Sequence, residues 1–119
     1  MSIRAQVNEY IANEYGAQPE FLWEKTPDCA VYRHESNRKW FGIIMVVGRD
    51  KFGFDSDELV EVMNVKVPDR MFLEILKERD GFYPAYHMNK EHWISIFLDG
   101  TVEFEEVCDL VDESFEGTR

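Results

Sequence analysis

Apolar residues recur along the chain at intervals that change from a helical to an extended period. The first pattern has apolar residues three and four positions apart, at Ile3, Val7, Tyr10, Ile11 and Tyr15. Spacing of this kind places the apolar side chains on one face of a helix. Gly16 follows, and glycine readily adopts the left-handed conformation that ends helices, so we predict an amphipathic helix that stops there.

Three extended segments come next. The predicted strands are Cys29–His34, Lys39–Val47 and Leu59–Val67. Strand Lys39–Val47 is the most apolar of the three, and both of its alternating sets of side chains are hydrophobic. We therefore expect this strand to be central in the sheet and covered on each side by other elements or by a partner.

A second helix, two further strands and a third helix complete the pattern. Pro68 can open a helix whose predicted buried stripe is Met71, Phe72, Ile75 and Leu76. Pro84 restricts the next segment to an edge strand or an extended loop, and His92–Leu98 alternates as a strand. The predicted apolar face of the last helix consists of Phe104, Val107, Cys108, Val111 and Phe115.

The resulting order of elements is α-β-β-β-α-β-β-α, with the strands grouped between helices. Grouped strands favour an antiparallel sheet over the parallel sheet of nucleotide-binding folds. We predict a two-layer α+β fold with an antiparallel sheet of about five strands. The chain has 119 residues, which is typical of a single domain, here residues 1–119.

The net charge of −11 opposes a general attraction to DNA, RNA or anionic membranes. The charge is uneven, however, because Arg33–Lys51 holds five basic and two acidic residues, a net charge of +3. Basic side chains at the ends of a hairpin can contact phosphates, with Trp40 or Phe52 adding stacking. The predicted nucleic-acid-binding residues are Arg33, Arg38, Lys39, Arg49 and Lys51. The alternative is that these are ordinary solvated turn charges.

The two cysteines, Cys29 and Cys108, lie far apart and have no CxxC partner. Buried free thiols in a reducing compartment are the simplest interpretation. The first residues contain no apolar signal core, and no apolar run reaches the length of a membrane span. We therefore expect a cytoplasmic protein that does not enter a membrane.

The segment Gly81–Gly100 holds the most chemically capable side chains. His87, Lys90 and His92 could transfer protons beside Tyr83 and Tyr86, but no nucleophile motif accompanies them. The histidine spacing matches no metal-site signature, so we predict neither a metal, a cofactor nor a catalytic set. If the segment binds a protein or a small ligand instead, the predicted residues are Tyr86, His87, Asn89, Lys90 and His92.

The run Pro84–Trp93, with the sequence PAYHMNKEHW, is followed by a strand, the turn Asp99-Gly100 and an acidic helix that contains Ser114-Phe115. In these features the chain resembles the MmcQ/YjbR family. The resemblance implies a compact α+β fold with helices on an antiparallel sheet. It also implies bacterial, cytoplasmic proteins that bind DNA through a double-wing motif, without an established cofactor or catalytic set.

Together these observations favour a binding module over an enzyme. DNA is the ligand that the resemblance implies, and a protein or small-molecule ligand is the main alternative. An enzyme that uses the loop with His87, Lys90 and His92 is the third hypothesis. The expected working surface joins this loop to the basic hairpin, and the oligomeric state stays open.

Overall fold

The computed structural model describes all 119 residues and contains three α-helices and five β-strands. In chain order the elements are α1 Ile3–Tyr15, β1 Ala30–Arg33, β2 Trp40–Gly48, β3 Leu59–Lys66, α2 Arg70–Lys77, β4 Phe82–Pro84, β5 Trp93–Phe97 and α3 Phe104–Gly117. A short 3-10 helix, Arg49–Phe52, follows β2. This order confirms the predicted α+β fold and its succession of elements.

The five strands form one sheet in the order β1-β2-β3-β5-β4, and every neighbouring pair is antiparallel. β2 is an inner strand, as predicted, but β3 is the middle strand. Ile44 pairs with Met63, and Met63 pairs with Ile96, so these three side chains share one face. The neighbouring residues therefore line the opposite face.

The main core lies between the three helices and one face of the sheet. Its fully buried members include Ile11 of α1, Leu76 of α2, Val111 of α3 and Ile44 of β2. Ser2 caps the start of α1 by accepting a hydrogen bond from the Ala5 amide at 3.1 Å. Gly16 ends α1 with a φ of +67°, as the sequence predicted.

The opposite face of the sheet is covered by short segments. Val47, Val60, Val62 and Phe97 form a second, smaller cluster there. The 3-10 helix places Phe52 over this cluster, with its ring centroid 5.1 Å from that of Phe97. Both faces of the inner strands therefore carry buried apolar side chains, but this second face is only partly covered.

The predicted buried stripe of α2 is correct for Phe72 and Leu76 and wrong for Met71 and Ile75. Leu73 and Leu76 are buried, whereas Met71 and Ile75 are 76% and 58% exposed. The helix has only eight residues, and apolar side chains occupy five of them, so they cover more than half of its circumference. The periodicity of so short a segment does not select which face packs on the sheet. None of the three helices combines the length and hydrophobicity that crossing a membrane requires.

Candidate ligand-binding groove

The partly covered face of the sheet carries a groove of about 780 Å³ that follows β2 from Trp40 to Gly48. Its floor includes Ile43, Met45 and Val47, which alternate along one face of the strand. Concave sites of this size with mainly apolar walls are typical of small-molecule binding. We call this feature the β2 groove.

Two tryptophans stand at one end of the β2 groove. The ring centroids of Trp23 and Trp40 lie 6.0 Å apart, and the rings meet edge to face at 77°. Trp23 belongs to the irregular segment before β1, and a two-way backbone pairing between Glu20 and Val31 holds that segment against the sheet at 2.9 Å. This pairing anchors the backbone three residues before Trp23, which itself belongs to no helix or strand.

The loop after β4 forms the other wall, and buried polar groups of the sheet hold it in place. The side chain of Asn64 donates to the carbonyl of Tyr86 at 3.0 Å, and the amide of Tyr86 donates to Ser95 Oγ at 3.0 Å. Ser95 Oγ in turn donates to Asn64 Oδ1 at 2.5 Å. Asn64 and Ser95 are fully buried in the sheet. The backbone of Tyr86 is therefore hydrogen-bonded to side chains of β3 and β5.

His87 follows with a φ of +58°, in the left-handed region. Residues other than glycine adopt this conformation rarely, and it persists only where the surroundings enforce it. The ring centroids of Tyr86 and His87 lie 4.0 Å apart, and both side chains line the β2 groove together with Met88. The hydrogen bonds to Tyr86 thus position the most unusual backbone of the loop beside the groove.

The other three residues predicted in this loop lie outside the β2 groove. Asn89 shapes a turn, because its side chain accepts from the Glu91 amide at 2.7 Å and its carbonyl accepts from the Trp93 amide at 2.9 Å. The carbonyl of His92 accepts from the Val67 amide at 2.7 Å. Lys90 lies in a separate depression of about 230 Å³, beside Tyr86 and Lys51.

The five basic residues predicted for nucleic-acid binding do not form one patch. Arg33 makes two hydrogen bonds to the carboxylate of Glu20, at 2.9 and 3.0 Å, and Arg38 binds the same carboxylate at 3.1 Å. Hydrogen bonds from Arg33 lower the pKa of Glu20, which keeps its charge beside both arginines. Lys39 is exposed at the same end of β2.

The remaining two basic residues lie beyond the other end of β2. Arg49 pairs with Asp99 at 3.4 Å, and Lys51 pairs with Asp50 at 3.7 Å. Nine residues of strand at about 3.3 Å each separate the two groups by roughly 30 Å. Of the five residues, only Lys51 lines the β2 groove, which it shares with Tyr86 and His87 of the loop.

The YjbR family model matches residues 13–116 of this sequence. The chain belongs to the YjbR family. The resemblance to MmcQ/YjbR proteins is thereby confirmed. The uncharacterized protein YyaQ of Bacillus subtilis is 38% identical over 119 residues, and the match covers 100% of both chains.

Two solved structures have the same fold as this chain. A crystal structure of a Pseudomonas syringae protein has a TM-score of 0.93 and 40% identity, and the match covers 98% of each chain. A Deinococcus radiodurans protein is 22% identical, with a TM-score of 0.71 over 97% of this chain and 77% of that one. The second likeness concerns the fold alone.

In this YjbR-family chain the β2 groove differs in charge from the rest of the protein. Its lining contains Lys25, Lys51 and one acidic residue, Asp28, a formal charge of +1 in a protein of −11. Cys29 also lines the groove, but burial raises the pKa of its thiol. A protonated thiol is a poor nucleophile, so this shift works against covalent chemistry at Cys29.

The sequence did not reveal Trp23, Lys25 or Met88 as groove residues. The segment that contains Trp23 has no periodicity, and its place depends on the pairing of Glu20 with Val31. A signal was nevertheless available. A tryptophan in an irregular, proline-flanked segment has no strand or helix to bury it, and aromatic residues in that position are favoured at binding surfaces.

Proposed function

We propose that this YjbR-family protein binds a small organic ligand with an apolar, planar body and an anionic group in the β2 groove. The observation that supports this most is the composition of the groove. A cavity of about 780 Å³ combines an aromatic end, an apolar floor and two lysines in an otherwise acidic protein. An anion is therefore attracted to this surface and repelled from most others.

Each wall has a distinct part in this proposal. Trp23 and Trp40 offer a ring edge and a ring face to a planar ligand. Met45 and Met88 are flexible and polarizable, so they adapt to its outline. Lys51 supplies a charge for the anionic group, because its pairing with Asp50 at 3.7 Å joins two exposed side chains and is easily exchanged.

The test uses 8-anilinonaphthalene-1-sulfonate, an aromatic anion whose fluorescence rises in apolar sites. We expect saturable binding with energy transfer from tryptophan. Trp23→Ala and Lys51→Gln should each weaken it about tenfold, equivalent to about 1.4 kcal/mol. The matched controls are Phe21→Ala, an exposed aromatic two residues from Trp23, and Lys39→Gln. Neither control residue lines the groove, so each should change the affinity less than about twofold.

Equal losses in the groove variants and their controls would contradict the proposal, because they would show attraction to the surface in general. Thermal unfolding of each variant checks that the fold is retained. An unsaturable signal would also count against a defined site.

DNA, the ligand that the family resemblance implies, has less support from the side-chain contacts. Arg33 and Arg38 are already bound to Glu20, and Arg49 is paired with Asp99. A gel-shift titration with duplex DNA at several salt concentrations separates the two ligands. Binding that weakens steeply with salt, and also on Lys39→Gln, would favour DNA over the proposed ligand.

A further inference from the structure

Met71 and Ile75 are exposed on the outer side of α2, at 76% and 58% of their surface. They are four residues apart, so they lie next to each other along one side of the helix. Isolated apolar residues on a surface need no explanation, but neighbouring ones mark interaction sites. This pair belongs to the helix layer, on the opposite side of the sheet from the β2 groove.

The pair borders a second groove, of about 790 Å³, between α2 and the C-terminal half of α3. Phe72, Val67 and Pro68 provide further apolar lining. The end of α3 packs closely here, since a Cβ atom on Gly117 would lie only 2.5 Å from Pro68 Cγ. The end of α3 therefore packs directly on the segment that leads into α2, and this contact closes the base of the groove. We call it the α2–α3 groove.

The charged residues that line the α2–α3 groove are all acidic: Asp69, Asp112, Glu113 and Glu116. Tyr10 donates a hydrogen bond to Asp112 at 2.8 Å, and Tyr15 donates another, which holds this carboxylate in place without removing its charge. Glu116 also contacts Arg119 at 3.0 Å, but both side chains are more than 60% exposed. Exposed pairs of this kind are weak and easily exchanged.

The negative charge of the α2–α3 groove determines which kind of partner can bind there. A second copy of this chain, docked through the same surface, would place these four carboxylates against four more, on proteins of −11 each. Nucleic acids and anionic membranes are repelled for the same reason. A partner with apolar side chains flanked by lysine or arginine instead satisfies both the exposed apolar pair and the acidic rim.

We propose that the α2–α3 groove docks a basic amphipathic helix of a partner protein. Apolar residues of that helix, at three- and four-residue spacing, pack on Met71, Phe72 and Ile75. Its basic residues face Glu113 and Glu116. Methionine adapts its shape to such contacts. This surface does not depend on the ligand in the β2 groove.

The probe is a synthetic 18-residue helix of leucine and lysine with leucine on one face, measured by fluorescence anisotropy against the full chain. Its control is a peptide of the same composition with the leucines scattered round the helix. Both carry the same charge, so we expect the amphipathic peptide to bind about tenfold more tightly. Capture by charge alone would give equal affinities and overturn the proposal.

Variants locate the site. Met71→Ser with Ile75→Ser should weaken binding about tenfold, whereas Leu59→Ser, an equally exposed apolar residue elsewhere, should leave it within about twofold. Glu113→Gln with Glu116→Gln should weaken it more than Glu105→Gln with Asp109→Gln, which remove the same charge from other positions of α3. Equal losses of peptide affinity within either pair of variants would overturn the proposal. A wild-type dimer that dissociates when Met71 and Ile75 are replaced by serine would overturn it as well, because a second copy of the chain would then be the occupant.

Discussion

Ser95→Ala tests whether the buried polar groups in the sheet hold the groove loop. Ser95 Oγ is the junction of the arrangement, since it accepts from the Tyr86 amide at 3.0 Å and donates to Asn64 Oδ1 at 2.5 Å. Removing one oxygen leaves both of these groups without their partner. The change in volume is small, so the lost hydrogen bonds dominate the effect.

The magnitude follows from the burial of the two groups. A buried polar group that loses its partner costs about 1–3 kcal/mol. Asn64 is fully buried and bears that cost in full, whereas Tyr86 is half-buried and regains part of it from water. We therefore expect the free energy of unfolding to fall by about 2–4 kcal/mol. We also expect weaker binding of 8-anilinonaphthalene-1-sulfonate, because Tyr86 and His87 lose their support.

Urea unfolding of the wild type and the variant measures the change. Ser56→Ala is the matched control, because Ser56 Oγ accepts one exposed hydrogen bond from the Glu58 amide at 3.1 Å. It should cost no more than about 1 kcal/mol. A double-mutant cycle with Asn64→Ala should show a coupling of about 0.5–3 kcal/mol. Equal costs for Ser95→Ala and Ser56→Ala, or additive effects in the cycle, would refute the reasoning.

Two further predictions concern stability. Burial is the main cause that lowers the pKa of His34, whose Nε2 lies 2.7 Å from Thr118 Oγ1. As the pH falls, the imidazole of His34 is therefore protonated in the unfolded chain before it is protonated in the folded protein. The contribution of neutral His34 to the free energy of unfolding is complete above about pH 6.5 and declines as the pH falls below that value. Urea unfolding between about pH 7.5 and 5.5 should therefore show a smaller loss of stability for His34→Gln than for the wild type. An equal loss in both proteins would exclude this histidine as its source. Gly81→Ala should destabilise by about 1–3 kcal/mol more than Gly53→Ala in thermal or urea unfolding. Both glycines have a φ near +90°, but only at Gly81 does an added Cβ meet another side chain, at 2.6 Å from Val102, so equal costs would show that the backbone conformation alone matters.

The sequence was most informative where a pattern extends over many residues. The alternation in Leu59–Val67 and His92–Leu98 predicted β3 and β5 to within one residue at each end. It also assigned Ile94 and Ile96 to one face and Ser95 and Phe97 to the other, as the register shows. Period-2 alternation reports which side chains share a face, and burial of one face fixes the register.

The sequence did not predict contacts between residues that are far apart in the chain. Ser95 was placed in a strand interior, but its partner Asn64 lies 31 residues away, and no local pattern joins them. Arg33 and Arg38 were expected to contact phosphates, and the structure pairs both with Glu20, which precedes the first strand. The choice between a free and a paired charge depends on the fold, which composition does not encode.

The position of β5 has a consequence for how the protein is made. β5 lies between β3 and β4, so the middle strand has a partner on one side only until residue 97 has been synthesised. Until then the edge of β3 is open, and β3 carries large apolar side chains on both faces, among them Met63 on one and Val62 on the other. Open apolar edges pair readily with other chains. We therefore expect the chain to be most prone to aggregation during its synthesis, in the interval before β5 emerges and pairs with β3.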